Sequence, residues 1–342
     1  MKSGGDLATL KIESIIADGD LDGLVAASIL CKVWPDANVH FSHPAELRGG
    51  FLDDSINERT AICDLPFHPR CGLFIDHHQT NRPSAEEEKA VKGKGCVVVW
   101  RDAPSAARVA FDLFREQFDL SSIEPMMEMV DKLDSGGISR DEFLSNDPIV
   151  WLSRTISSKD QEYSKMVAEA LAGGASVEDV VKRPEVVQRI DEERRSMDEV
   201  KRMLESHGEI KDRLAIVRLE DTGYRTNGYL VTAHYGDDCD ACLIVHGSSH
   251  GNYGSEGSWP LSASFYTNSF LHSNGGVFDL TRMATRFDVD GGGHYNACGC
   301  RIMPLGTLGD VEHRATVAED IGENIRLWLQ QWSAAQASSL NK

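Results

Sequence analysis

The sequence predicts an α/β protein of two domains: an N-terminal, mainly parallel sheet flanked by helices and a smaller C-terminal α/β domain with a mixed sheet, joined by a helical connector. Three observations lead there. Over residues 1–150, short apolar runs alternate with amphipathic segments, the pattern of strands buried on both faces. Residues 151–210 turn helical and charge-rich, ending in "RIDEERRSMDEVKRMLESHGEI", which reads as a solvated helix face. From 211 to 342 a second set of apolar runs follows, and 342 residues suffice for two cores of common size.

In chain order, "IESIIA" (Ile12 to Ala17) reads as a buried strand, followed by a helix from about Asp22 to Val33. "NVHF", "TAICDL", "GLFIDHH" and "CVVVW" are four further short strands, the last leading into the helix "SAARVAFDLFREQF". After the connector, "LAIVRL", "CLIVHG", "LSASFY" and "ACGCRI" read as strands. "VFDLTRMATRF" is an intervening helix, "HRATVAEDIGENIRLWLQQW" a closing one, and the tail "SAAQASSLNK" is expected to fray.

Charge and cysteine usage narrow the function. A formal net charge of −19 argues against long duplex nucleic acid or an anionic membrane as partner, since neither finds a basic footprint. An anionic small substrate stays open, because bound cations dominate a local field. Nowhere do eighteen apolar residues run together, and the opening "MKSGGDLATL" lacks a leader pattern, so a cytoplasmic location is expected. Eight scattered cysteines fit a reducing compartment. "CDAC" and "CGC" sit on apolar strands and read as buried small residues rather than zinc ligands.

The chemistry concentrates where apolar strands end. Asp18, Asp20 and Asp22 follow the first strand, Asp64 ends "TAICD", and Asp76, His77 and His78 end "GLFIDHH". Taken singly, each carboxylate would be an ordinary cap or turn residue. Together they form a hard oxygen-rich donor set with imidazoles, suited to two divalent ions, Mn²⁺ foremost and Mg²⁺ second. Such ions would offset the carboxylate repulsion, activate a water and clamp a phosphoryl group.

In this order, "DGDLDG", "ICDLP", "FIDHH" and "GGGH" resemble the motif set of the DHH phosphoesterase superfamily over nearly the whole chain. The resemblance implies a DHH domain over 1–150, a connector over 151–210 and a DHH-associated substrate-binding domain over 211–342, with hydrolysis in the cleft between the two domains. It implies metal ligation by Asp20, Asp22, Asp64 and His77, with Asp18 standing where many members have His. His78 would face the substrate and help protonate the leaving oxygen, Asp64 would bridge the ions, and Asp76 would orient the histidine pair by hydrogen bonding. In "MVDKLDSGG" the fourth ligand is either Asp131 or Asp134, with Asp131 favoured. One of the two, at i and i+3 on a helix, would bind metal and the other orient it.

In the second domain, Gly291, Gly292 and Gly293 before His294 would let backbone N–H groups approach a phosphate. Arg282 and Arg286 would assist from the preceding helix, and Arg48 from a loop after the second strand. Tyr295, Phe265 and Tyr266 are candidate surfaces for base stacking, though each also suits a core. The resemblance implies a phosphoesterase for short nucleotide esters such as very short RNA, dinucleotides or pAp, with a homo-oligomer left open. Exopolyphosphatase or pyrophosphatase chemistry is the alternative within enzymes, and a catalytically silent scaffold the alternative outside them.

Overall fold

The computed structural model describes residues 4–93, 95–251, 259–273 and 275–339. The chain divides into two compact units: Met1–Ile138 with Ser145–Glu193, and Ser139–Leu144 with Arg194–Lys342. The last of the three passages of the chain between the units falls inside the helix Pro184–His207.

The first unit is built on five strands: β1 (Ser14–Asp18), β2 (Asn38–Ser42), β3 (Thr60–Cys63), β4 (Leu73–Asp76) and β5 (Val97–Trp100). All pairings are parallel and the order is β2-β1-β3-β4-β5. β1 is thus the point where the winding reverses, and a crevice opens there at the carboxyl edge. Register does the rest. Ala17 lies opposite Cys63 and Cys63 opposite Ile75, so Asp18, Asp64 and Asp76 emerge at one edge. One face of the sheet carries a cluster of Ile16, Ile62, Leu65 and Phe74 with Leu47 and Ile56. The helix Leu21–Val33 is buried along nearly its whole length, and Asp20 caps it by accepting the Gly23 N–H. Its run of Leu, Val, Ala and Ile has no polar face to give to water, which suits a helix covered on all sides.

The second unit holds six strands, β6 (Gly208–Lys211), β7 (Leu214–Arg218), β8 (Ala241–His246), β9 (Ser262–Thr267), β10 (Gly292–His294) and β11 (Ala297–Arg301). Their order is β10-β11-β9-β8-β7-β6, mixed because only β7 and β8 pair in parallel. Phe265, Trp328 and Trp332 fill its core with Leu243 and Met283. Each indole finds an acceptor, Trp328 in the Met283 carbonyl at 2.9 Å and Trp332 in the Asp212 carbonyl at 2.8 Å.

Several elements differ from expectation. The end of the charged helix is not a solvated face: Val200 and Leu204 pack on Ala215, Val217 and Cys242, and the "GEI" stretch pairs with β7 as strand β6. The helix expected over "VFDLTRMATRF" contracts to Thr281–Ala284. The closing helix starts at Ala318 rather than His313, because Asp320 is taken by Arg314 and by the Val317 N–H, which ties the approach in a non-helical path. The tail does not fray where expected. Trp332 anchors it, and the helix continues to Ser339; residues 340–342 lie outside the described ones. Among the described residues, no helix is long and apolar enough to cross a membrane.

Candidate metal centre

The carboxyl edge of the first sheet brings most of the expected residues together. Asp64 leaves β3 in the left-handed region, with φ of +58°, a conformation uncommon outside glycine and found where a site demands it. Its carboxylate is buried, and Oδ1 has no hydrogen-bond partner. Asp22 is equally buried, and its two oxygens accept the Ala106 and Ala107 N–H groups, each at 2.7 Å. The helix Ala106–Phe114 therefore presents its positive N-terminus to this carboxylate.

His77 sits at the centre. Its Nδ1 lies 3.0 Å from the Ala103 carbonyl, which can only accept, so Nδ1 carries a proton and Nε2 is the atom left to take a second proton or to donate to a cation. That buried Nε2 faces Asp134 Oδ2 at 3.1 Å, Asp22 Oδ2 at 3.8 Å and Asp64 Oδ1 at 3.9 Å. A carbonyl fixing one nitrogen while the other turns toward carboxylates is the usual support of a metal-binding imidazole. Asp76 is buried behind the pair. Its Oδ1 accepts the His77 N–H at 2.6 Å, the His78 N–H at 3.1 Å and His78 Nδ1 at 3.0 Å. His78 is the more open of the two, with its side chain 44% exposed.

Three overlapping groups place one donor atom per residue within 4.8 Å of one another: Asp64, Asp76, His77 and His78; Asp22, His77 and Asp134; and Asp18, Asp20 and Asp64. Electrostatics record the crowding. Burial above all, with facing carboxylates adding, pushes Asp18 up to about 7 and also raises Asp20, Asp22 and Asp64. Burial alone would lower His77, but Asp134 and Asp22 prevail and bring it up to about 9. Orphaned buried atoms on Asp64, Asp76 and His77, inside a set of hard oxygens and imidazole, fit divalent cations.

Of the two candidates for the fourth ligand, the structure brings Asp134, not Asp131, to His77. Asp131 is committed elsewhere: Oδ1 accepts the Ser105 hydroxyl at 2.7 Å, and Oδ2 accepts Arg108 Nε at 2.9 Å and a second guanidinium nitrogen at 2.6 Å. Asp134, one turn on, is the residue that reaches His77. Both lie on the helix Met127–Ser135, and spacing along it cannot reveal which is captured by an arginine from another helix.

The remaining candidates separate. Arg48 ends a short helix, Pro44–Arg48, rather than lying in a loop, and donates to Asn81 Oδ1 at 3.2 Å, three residues beyond His78. Arg286 is turned away from an anion role: its guanidinium donates to the Leu327 carbonyl and lies over Phe287. Arg282 lies over Phe278. Gly292 and Gly293 are not a free loop but belong to edge strand β10 with His294, paired to β11. Gly293 needs its freedom, with φ of +135° and the Ala297 carbonyl 2.8 Å from where a Cβ would stand. Phe265 is wholly buried and offers no stacking surface, Tyr266 is partly buried against the cluster of Val217, Cys242 and Ile244, and Tyr295 is 47% exposed. The cysteines of "CDAC" and "CGC" are buried and unpaired. Sequence reasoning missed the Ala103 carbonyl and Trp100, whose indole N–H donates to the His78 carbonyl at 2.9 Å. Neither has a motif of its own.

Fold and site define a two-unit α/β protein with a cluster of carboxylates and imidazoles at the carboxyl edge of a parallel sheet. The chain is similar to the pGpG-specific phosphodiesterase PggH from Vibrio cholerae, with 22% identity, a TM-score of 0.70 and coverage of 94% of this chain and 99% of that one. It is similar also to exonuclease RecJ bound to manganese, at 14% identity and a TM-score of 0.50, covering 97% and 93% of the two chains. RecJ from Thermus thermophilus in complex with Mn²⁺ matches at 13% identity and a TM-score of 0.50, covering 94% of this chain and 52% of that one. These likenesses establish the fold, which is the one that the resemblance to the DHH superfamily implied. No family model matches the chain, and no curated protein matches it in sequence.

Proposed function

We propose that the protein is a divalent-metal-dependent phosphoesterase acting on short nucleotide phosphodiesters or monoesters, with Mn²⁺ the preferred ion. The observation that carries this reading is the buried His77 Nε2 facing Asp22, Asp64 and Asp134. The fold shared with a pGpG phosphodiesterase and with manganese-bound RecJ supports it.

Asp18, Asp20, Asp22, Asp64, His77 and Asp134 would hold the ions. When bound, divalent cations offset the negative charge of a phosphoester and of its transition state and make a water more acidic. The protein's own groups supply orientation. Ala103 holds the His77 tautomer, and the helix at Ala106 holds Asp22. Asp76 occupies His78 Nδ1, so Nε2 is the atom of that exposed ring free to carry a proton to a leaving oxygen. Arg48, with its fixed positive charge beside Asn81, is the candidate contact for a substrate phosphate in this unit. In the second unit the exposed His294 keeps that role, and His294→Ala is expected to raise KM several-fold with little change in kcat.

The test is product release by the Mn²⁺-loaded protein on pGpG, other RNA dinucleotides, pAp, cyclic dinucleotides and short-chain polyphosphate. Preferential cleavage of nucleotides supports the proposal. Cleavage of polyphosphate alone replaces the substrate class, and metal binding without turnover of any of these favours a silent scaffold.

A further inference from the structure

The first unit exposes one aromatic ring that its core does not explain. Phe51 is 81% exposed, and among the described residues of this unit the only other large exposed hydrophobic is Val187, at 41%. Leaving a phenyl ring in water forgoes its burial energy, so its position calls for a physical account.

The segment bearing Phe51 is anchored to the metal centre from two sides. Leu47 and Leu52 pack in the cluster that contains Leu65, the residue after Asp64. Arg48 donates to Asn81, whose own N–H donates to the His78 carbonyl at 3.2 Å. The segment follows β2, so it rises from the same carboxyl edge as Asp18 and Asp64. The ring lies close over Gly49: a Cβ there would stand 2.7 Å from Phe51 Cε2, and Gly50 takes a φ of +75°. The two glycines of "RGGF" let the backbone turn tightly and let the ring lie over Gly49.

We propose that Phe51 is a stacking platform for a nucleobase, beside a phosphate bound by Arg48 and the metal centre. An exposed aromatic three residues along the chain from a guanidinium that is hydrogen-bonded to Asn81 suits a ligand with one π-face and one anion, which is a nucleoside monophosphate unit and not a polyphosphate chain. The inference rests on the nucleotide reading of the site and deepens it by naming the residue that selects for a base.

Binding distinguishes the two. Calorimetric titration of the Mn²⁺-loaded full chain with GMP and with ribose 5-phosphate, which lacks the base, needs no turnover. Stacking on one aromatic predicts GMP binding tighter by about 5-fold to 150-fold. Phe51→Ala is expected to shrink that ratio to within about 3-fold while leaving ribose 5-phosphate affinity and Tm unchanged, and Phe51→Trp to keep it. Gly49→Ala, which pushes the ring aside, is expected to lower the ratio as well. Wild-type protein with no preference for GMP overturns the inference, as does failure to bind either ligand. A Phe51→Ala variant that weakens both ligands equally, or neither, also overturns it and assigns the ring to the fold or to a protein contact. Base-dependent binding that depends on Phe51, in a protein that hydrolyses no nucleotide, leaves the inference standing and removes the phosphoesterase reading.

Discussion

Asp131 and Asp134 differ by three positions and by everything that matters to the site. The first is satisfied by Ser105 and a two-nitrogen contact from Arg108, the second points its oxygen at His77. Asp134→Asn is expected to lower kcat at least about 100-fold and to weaken Mn²⁺ binding, because it removes a charged donor from the set. Asp131→Asn should instead cost stability, about 1–3 kcal/mol, since it breaks a partly buried charge-assisted pair and leaves Arg108 without its partner. Denaturant unfolding and metal content, measured side by side on the two variants, separate these outcomes. If Asp131→Asn loses metal and Asp134→Asn does not, Asp131 is the ligand and the assignment of Asp134 falls.

At the scale of elements, the site depends on how closely the helix Leu21–Val33 approaches the end of β1. A Cβ on Gly23 would stand 2.4 Å from the Asp18 carbonyl oxygen and 2.7 Å from its nitrogen. Gly23→Ala therefore has to push the helix start away from the strand. The expected loss is about 1–3 kcal/mol of stability, together with reduced Mn²⁺ affinity, because Asp20 and Asp22 sit on the displaced turn and would move away from Asp18 at the end of β1. Thermal melts with and without Mn²⁺ read both effects. The strand ends were legible in the sequence, since short apolar runs that each close on an acid are what a parallel sheet with a polar carboxyl edge requires. β6 and β10 were not legible: three or four residues rich in glycine and charge carry no period, and only pairing to β7 and β11 makes them strands.

For the molecule as a whole, two conditions should change stability in calculable directions. Divalent ions bound as proposed would separate the facing carboxylates and chelation would remove them, so excess Mn²⁺ is expected to raise Tm by about 5–10 °C over EDTA-treated protein. Asp64→Asn should abolish most of that difference. Acid acts on the second unit through Asp240. Burial would raise this carboxyl, but hydrogen bonds from Arg213, His272 and Gln336 outweigh it and bring it down to about 2 from an ordinary 3.8. The folded state therefore binds the proton more weakly than the unfolded chain does. The stabilisation is complete above the unfolded value and is lost as pH falls from 3.8 toward 2. With Arg213 half exposed, the loss is about 1–2 kcal/mol. Asp240→Asn should be less stable at pH 6 and show a flatter stability slope between pH 4 and 2.

The sequence by itself determined the two-domain α/β class, the acidic and imidazole residues at three strand ends and the kind of ion they suit. These follow from chain-local facts, namely which apolar runs can be strands and which side chains close them. Only the tertiary structure decided that Asp134 rather than Asp131 meets His77, that Arg286 serves a helix carbonyl and that Phe265 is core while Phe51 stands in solvent. Each of those choices depends on a partner far away in the chain. The same side chain is a ligand, a strut or a surface according to what the fold brings within about 3 Å of its polar atoms.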